Sequence, residues 1–352
     1  MRVTLWRDDA VLARPVTAAR QRHERRARLY VAIEHDDCVG YGEISPQPER
    51  LHGDPSLDEV CDELEHVTVP QLLDVVAREQ RAPAWARFNR FAGPRSSSNA
   101  AVLLVEMALL DRELRAAHSE IRTLWPALYE TPVQSTLSLL DPLDSWFVPP
   151  DVGRVRVKTA PGALTEQALE RLGALGVALL LDYNCSGASA QEVRSQAERV
   201  GAVATLDAVE QPFSVGNLVE HAALARNLGV PVSMDEGVRS FADIHQIVRY
   251  QAAAMICVKP ARVGGLANAR TIIVRAREFG LRVYIGGFFE SPYARFVHRA
   301  LAEHCVSEPS DVGPVAVAGR DESIELDVVR GGFTVAPAAG VLARSEVIGR
   351  WG

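Results

Sequence analysis

The sequence predicts an α/β protein: a closed, TIM-like parallel barrel with a smaller α+β capping region. Three observations carry that reading. From Pro132 to about residue 315, short apolar runs alternate with segments of helical period, as in a parallel sheet covered by helices on its outer face. Seven or eight strand–helix units crowd into this stretch, which favours closure over an open doubly wound sheet. Five consecutive runs each end on a charged residue, and in a barrel such ends converge on one mouth. Neither a GxGxxG nor a P-loop pattern follows the first strand, so nothing supports a nucleotide-binding sheet.

The elements follow in order. RLYVAIEH and CVGYGEIS form a hairpin, with Asp36 and Asp37 in its turn. A helix begins near Ser98 or Asn99, either of which can cap it, and runs through NAAVLLVEMALLDRELRAA. Val102, Val105, Met107, Leu109, Leu110 and Leu114 cover most of its surface, so it is expected to be buried nearly all round. The barrel strands are VQSTLSL, RVRVK, VALLLD, TLDAVE, VPVSMD, AMICVK and LRVYIGG, with a weaker eighth near HCVSE. Helical segments lie between them: TEQALERLGAL, SAQEVRSQAERVGAV, NLVEHAALARNLG, FADIHQIVRYQ and LANARTIIVRAREFG. SIELDVVRGGFTVAP, near the C-terminus, reads as strands returning to the N-terminal region. The expected division is a cap of residues 1–125 completed by 316–352, and a barrel of 126–315.

The five charged strand ends are Lys158, Asp182, Glu210, Asp235 and Lys259, spaced 24, 28, 25 and 24 residues apart (182−158, 210−182, 235−210, 259−235). That interval is one strand plus one helix with short loops. Asp182, Glu210 and Asp235 are hard oxygen ligands with no His or Cys at a matching position, a set suited to Mg²⁺, or Mn²⁺, rather than zinc. Three anions in one mouth repel unless a cation sits among them. Each alone is an ordinary strand-end carboxylate; their common register is what points to a metal. Arg156 and Lys158 are two apart on one strand and share a face. Lys259 approaches from the opposite side, four strands further round. Two such lysines can exchange a proton at one carbon, or one abstracts it while the other stabilises the enediolate. Arg156 keeps its proton, and so serves to bind a substrate anion or to depress a neighbouring pKa.

Composition excludes other classes. The 352 residues carry a net charge of −7, which gives no electrostatic case for nucleic acid. Arg20, Arg22, Arg25, Arg26 and Arg28 cluster, but acidic residues follow closely, as in a solvated loop. No apolar run is long enough to span a bilayer, and the opening residues lack a signal core, so a cytoplasmic protein is expected, with a small-molecule carboxylate substrate and a homo-oligomeric state as further expectations. Cys38, Cys61, Cys185, Cys257 and Cys305 lack CxxC spacing and read as free thiols.

The segments VKTA, LDYN, VEQPF, MDEG and VKPARVGGL, with the later YIGGFFES, resemble the enolase superfamily in its muconate lactonizing enzyme subgroup. The likeness runs strongest to o-succinylbenzoate synthases and N-succinylamino acid racemases. It extends to GYGEISP in the cap, to NAAVLLVEMALLDREL, and to TPVQSTLS, whose Thr136 or Ser138 would face the substrate. The resemblance implies a (β/α)₇β barrel with an α+β cap, Mg²⁺ on Asp182, Glu210 and Asp235, and Lys158 and Lys259 as the acid/base pair. It implies that Asn184 supports the metal ligands. Gly287, Phe288 and Glu290 would then close the seventh strand end, Glu290 as a site carboxylate or a helix cap. It also places specificity in cap loops near 18–28 and 45–55, where Arg20, Arg25 or His52 would meet a distal carboxylate.

Two departures bear on substrate identity. Arg156 stands where the subgroup has the first Lys of KxK, and SPYAR follows Glu290, so Phe288, Phe289 and Tyr293 are expected to make the pocket bulkier. The implied reaction is proton abstraction α to a carboxylate, leading to dehydration to o-succinylbenzoate or to racemisation of an N-acylamino acid. Muconate-type cycloisomerisation and dipeptide epimerisation are alternatives, the latter disfavoured because no Asp-x-Asp follows YIGG. A non-catalytic barrel binding a metal and a carboxylate is the reading from another class.

Overall fold

Alternating apolar residues make the N-terminal segment a sheet. The strand β1 (Arg2–Ala18) buries Val3 and Leu5, and its antiparallel partner β2 (Gln21–His35) buries Leu29, Val31 and Ile33 on the same face. The expected hairpin joins β2 to β3 (Cys38–Ile44). Asp36 and Asp37 have φ of 51° and 58°, the left-handed pair that a two-residue turn of matching twist requires. The structure is a computed structural model and describes residues 1–18, 21–81, 84–85, 87–88, 98–130, 133–139, 148–313 and 325–352.

The helix Asn99–Ala116 lies across this sheet and is buried nearly all round. Ser98 caps it, its hydroxyl accepting the Ala101 N–H at 3.2 Å; Asn99 instead donates to the Arg262 carbonyl at 2.6 Å. A Cβ on Gly42 would sit 2.1 Å from the Leu104 carbonyl oxygen, so glycine lets β3 pack against this helix at backbone distance.

Seven parallel strands then follow in spatial order: β4 (Ser135–Leu139), β5 (Val152–Lys158), β6 (Ala178–Asp182), β7 (Leu206–Glu210), β8 (Val232–Met234), β9 (Met255–Val258) and β10 (Arg282–Ile285). The five expected connecting helices are Glu166–Gly173, Ala190–Gly201, Leu218–Ala225, Phe241–Tyr250 and Leu266–Glu278. Thr165, Ser189 and Asn217 cap the first three, each accepting a first-turn N–H, a contact that contributes about 1 kcal/mol.

The expected eighth strand at HCVSE is not one. His304 and Cys305 end a helix, Pro292–Cys305, which Ser291 caps and Pro292 starts at a position where a missing N–H costs nothing. Closure comes from Ser310 and Asp311. The Ser310 N–H donates to the Gln134 carbonyl, the Thr136 N–H to the Ser310 carbonyl, and the Asp311 N–H to the Ile285 carbonyl, all at 2.8–2.9 Å. These bonds join both sheet edges. Leu180, Ala208, Met255, Cys257 and Tyr284 fill the interior.

The C-terminal segment does return to the N-terminal region: the Gly332 N–H donates to the Ser119 carbonyl and the Gly332 carbonyl accepts the Ile121 N–H, both at 2.9 Å. The strands β11 (Leu326–Val328) and β12 (Val335–Pro337) pair with each other, anchored by the Phe333 N–H donating to Asp111. The strand that joins the first sheet is β13 (Glu346–Trp351), antiparallel to β1. All five cysteines are free thiols. Among the described residues, no helix is long and apolar enough to cross a membrane.

Candidate active site

Alternation along β5 turns Arg154, Arg156 and Lys158 into the barrel. Register then carries the pattern sideways: Lys158 lies opposite Asp182, and Asp182 opposite Glu210. Asp235 and Lys259 follow the last residues of β8 and β9. All five charged residues therefore stand at the C-terminal mouth, where barrel sites are built.

Each carboxylate faces a cation. Lys158 donates to Asp182 and, at 2.9 Å, to Asn184 Oδ1. Arg156 Nε lies 3.2 Å from Glu210 Oε2 and 3.9 Å from Asp182 Oδ2, and its Nη1 donates to Asp311 at 3.2 Å. The Tyr284 hydroxyl donates to Glu210 Oε2 at 2.6 Å. Across the ring, Lys259 donates to Asp235 Oδ2 at 2.8 Å and Arg262 to Oδ1 at 2.5 Å. Glu210 and Asp235 offer oxygens within 4.8 Å of each other and of Cys257 Sγ, while Asp182 is turned towards Lys158.

Burial sets the protonation tendencies. It pushes the Glu210 carboxyl up to about 7, Arg156 opposing it and Asp182 and Asp235 adding to it. Burial also pushes Glu236 up to about 7, with Asp235 and Asp182 in the same direction. For Asp235 the burial penalty is outweighed by Lys259 and Arg262, which hold it well below the carboxylate range. Burial works against the charge on Lys259, but Asp235 wins and raises its pKa. The cluster is a set of buried carboxylates, each beside a cation, with two lysines on opposite sides.

Residues 151–339 match the family model described as enolase C-terminal domain-like, more than half of the chain. The chain belongs to the enolase superfamily. This enolase-superfamily enzyme is 26% identical over 299 residues to an N-succinylamino acid racemase from an Amycolatopsis species, covering 82% of this chain and 78% of that protein. It is 23% identical over 317 residues to the o-succinylbenzoate synthase of Bacillus subtilis, covering 86% and 81%. Its fold matches that of an N-succinyl Arg/Lys racemase from Bacillus cereus, with a TM-score of 0.82 at 16% identity over 100% of this chain and 98% of that one.

The other predicted site residues of this superfamily member divide by position. Asn184 bridges the site: its N–H donates to Asp182, its Oδ1 accepts from Lys158, and its Nδ2 donates to Glu236 at 3.0 Å. Phe288 lies over the ring, 4.8 Å from Lys259 Nζ and 5.4 Å from the Arg262 guanidinium. Glu290 is turned back on its own loop, accepting the Phe288 N–H and pairing with Arg295 at 3.2 Å. A side chain on Gly287 would strike that pair, at 2.8 Å from both partners. Ser138 is level with Arg156, whereas Thr136 is one layer deeper, against Arg154. Tyr293 does not line the mouth; it is fully buried, donating to the Tyr41 carbonyl at 2.6 Å and packing on Phe333. Arg25 is exposed and donates to the Asp9 carbonyl of its own sheet, and Arg20 lies outside the described residues.

The cap reaches the ring through a loop at 45–56. Its Asp54 takes Arg262 in a fork of 3.1 and 2.8 Å, and pairs with Arg239 at 3.0 Å. His52 stands within 4.8 Å of ligand atoms of Cys185 and Glu236. Sequence reasoning missed Asp54, Glu236, Arg262, Tyr284 and Asp311. Glu236 and Arg262 had a signal, because they lie inside MDEG and VKPARVGGL. Asp54 and Asp311 had none, since their partners are 208 and 155 residues away.

Proposed function

We propose that this enzyme removes the proton α to a substrate carboxylate, with Lys158 and Lys259 on opposite faces of that carbon. The observation that carries the reading is their placement: two lysines at the barrel mouth, each hydrogen-bonded to a different carboxylate of one cluster. Asp182, Glu210 and Asp235 would hold Mg²⁺. They fit it, being buried hard oxygen donors, and Glu210 Oε1 has no hydrogen-bond partner among the described residues. The chemistry a bound Mg²⁺ supplies is neutralisation of the charge that builds on the substrate carboxylate as the proton leaves.

Lys158 is the more exposed lysine, with 18% of its side chain open against 10% for Lys259, and is assigned as the proton acceptor. Lys259, kept charged by Asp235, stabilises the developing negative charge or returns a proton from the far side. Arg156 contributes a fixed charge beside Glu210. With the names of the relatives, this supports dehydration of the o-succinylbenzoate synthase kind or racemisation of an N-succinylamino acid. The test is proton NMR in D₂O with Mg²⁺ and a panel of the cyclohexadienyl precursor of succinylbenzoate, N-succinylamino acids, dipeptides and muconate. Product or α-deuterium exchange on the first two is the expected result. Turnover confined to dipeptides or muconate would move the assignment to an epimerase or cycloisomerase.

A further inference from the structure

Beside the ring of lysines and carboxylates lies a second group of ligand-type side chains. His52 of the cap loop, Cys185 just after β6 and Glu236 just after β8 each offer one ligand atom, and these lie within 4.8 Å of one another. His52 Nε2 and Glu236 Oε2 are buried, and neither has a hydrogen-bond partner among the described residues. Glu236 is only 4% exposed, and its other oxygen accepts from Asn184. A buried polar atom left unpaired is destabilising, so two at one place call for a ligand that pairs them.

We propose that His52, Cys185 and Glu236 form a site for a thiophilic divalent cation of the zinc type, separate from the three carboxylates assigned to Mg²⁺. One imidazole nitrogen, one sulfur and one carboxylate oxygen are a donor set that zinc accepts and magnesium does not. An ion about 2.0–2.3 Å from each ligand draws the three atoms inward by roughly 1 Å, within reach of side-chain torsions. As Sγ coordinates, the Cys185 thiol gives its proton to solvent. Three protein ligands leave a fourth position for water or an anionic group. Because His52 belongs to the cap loop and the other two to the barrel, the ion ties the loop to the mouth. Arg239 already does so without a metal, donating to the His52 carbonyl and pairing with Asp54.

The experiment adds cobalt(II) to the full chain in excess Mg²⁺ and reads the near-ultraviolet for a thiolate-to-cobalt charge-transfer band. The band is expected to saturate at one cobalt per chain, to yield to zinc, to vanish in Cys185→Ser and to persist in Cys257→Ser. His52→Ala should weaken zinc competition by about tenfold or more. Absence of the band, or its survival in Cys185→Ser, overturns the proposal. Should Cys185→Ser fail to fold, zinc protection of Cys185 from alkylation, mapped by mass spectrometry on the unsubstituted protein, decides it; an unchanged alkylation rate overturns the site. No substrate is present, so this result is independent of the reaction proposed above.

Discussion

Arg156 Nε lies 3.2 Å from Glu210 Oε2, and the same guanidinium donates to Asp311 at 3.2 Å. One fixed cation thus binds a strand-end carboxylate to the segment that closes the barrel. Arg156→Met leaves Glu210 to Tyr284 and Asp311 to Arg295, and strips a buried network of its central charge. The expected loss is about 3 kcal/mol in urea unfolding, with Arg156→Lys recovering part of it. A loss below about 1 kcal/mol would mean that the neighbours absorb the charge and that Arg156 is not a structural centre.

The two lysines can be separated by stereochemistry. With N-succinylamino acids in D₂O, Lys158→Ala should lose α-proton exchange with one enantiomer and Lys259→Ala with the other, by about 10²–10⁴-fold each. Equal loss of both enantiomers in both variants would count against opposed faces.

Metal binding is read directly. Asp235→Asn removes one anion from the proposed Mg²⁺ ligands and leaves Lys259 and Arg262 facing a neutral amide. Titration calorimetry should give Mg²⁺ affinity at least about tenfold below that of the parent, and a chelator should abolish turnover reversibly. Unchanged affinity would move the metal elsewhere.

Glu106 supplies a stability test away from the site. It accepts N–H groups of Leu266 and Ala267 at the start of the helix Leu266–Glu278, but burial pushes its carboxyl from 4.5 up to about 8. A raised carboxyl keeps its proton in the folded chain after the unfolded chain has released it. Its stabilising contribution is therefore full below pH 4.5 and declines as pH rises towards 8. Glu43, pushed up to about 7 by burial, titrates in the same direction, so the comparison must be with a Glu106 variant. Between about pH 5.5 and 7.5, Glu106→Gln should lose less stability than the parent by about 1–3 kcal/mol in chelator-containing urea titrations. Parallel pH curves would show that Glu106 ionises as an ordinary glutamate.

Much of the fold was legible because its signals are local. Short apolar runs alternating with helical segments located β5 to β10, five of them ending on a charge, and the two aspartates at 36 and 37 marked their hairpin turn. The error came where local pattern is ambiguous. HCVSE is apolar enough for a strand, but the Ser291–Pro292 start had already committed the preceding residues to a helix reaching Cys305. SIELDVVRGGFTVAP does supply strands returning to the N-terminal region, and only long-range pairing shows that they bond each other while Glu346–Trp351 is the strand that joins β1.

By itself the sequence determined that Lys158, Asp182, Glu210, Asp235 and Lys259 would share one mouth, because strand register and a repeating strand–helix interval leave their side chains nowhere else to converge. Only the tertiary structure decided how those charges are paired. Arg262 holds Asp54 of the cap and Asp235 of the barrel, Asp311 meets Arg156, and His52 comes to Cys185 and Glu236. A buried charge must find a partner, but chain folding brings that partner from any distance in sequence, and no local pattern records which one arrives.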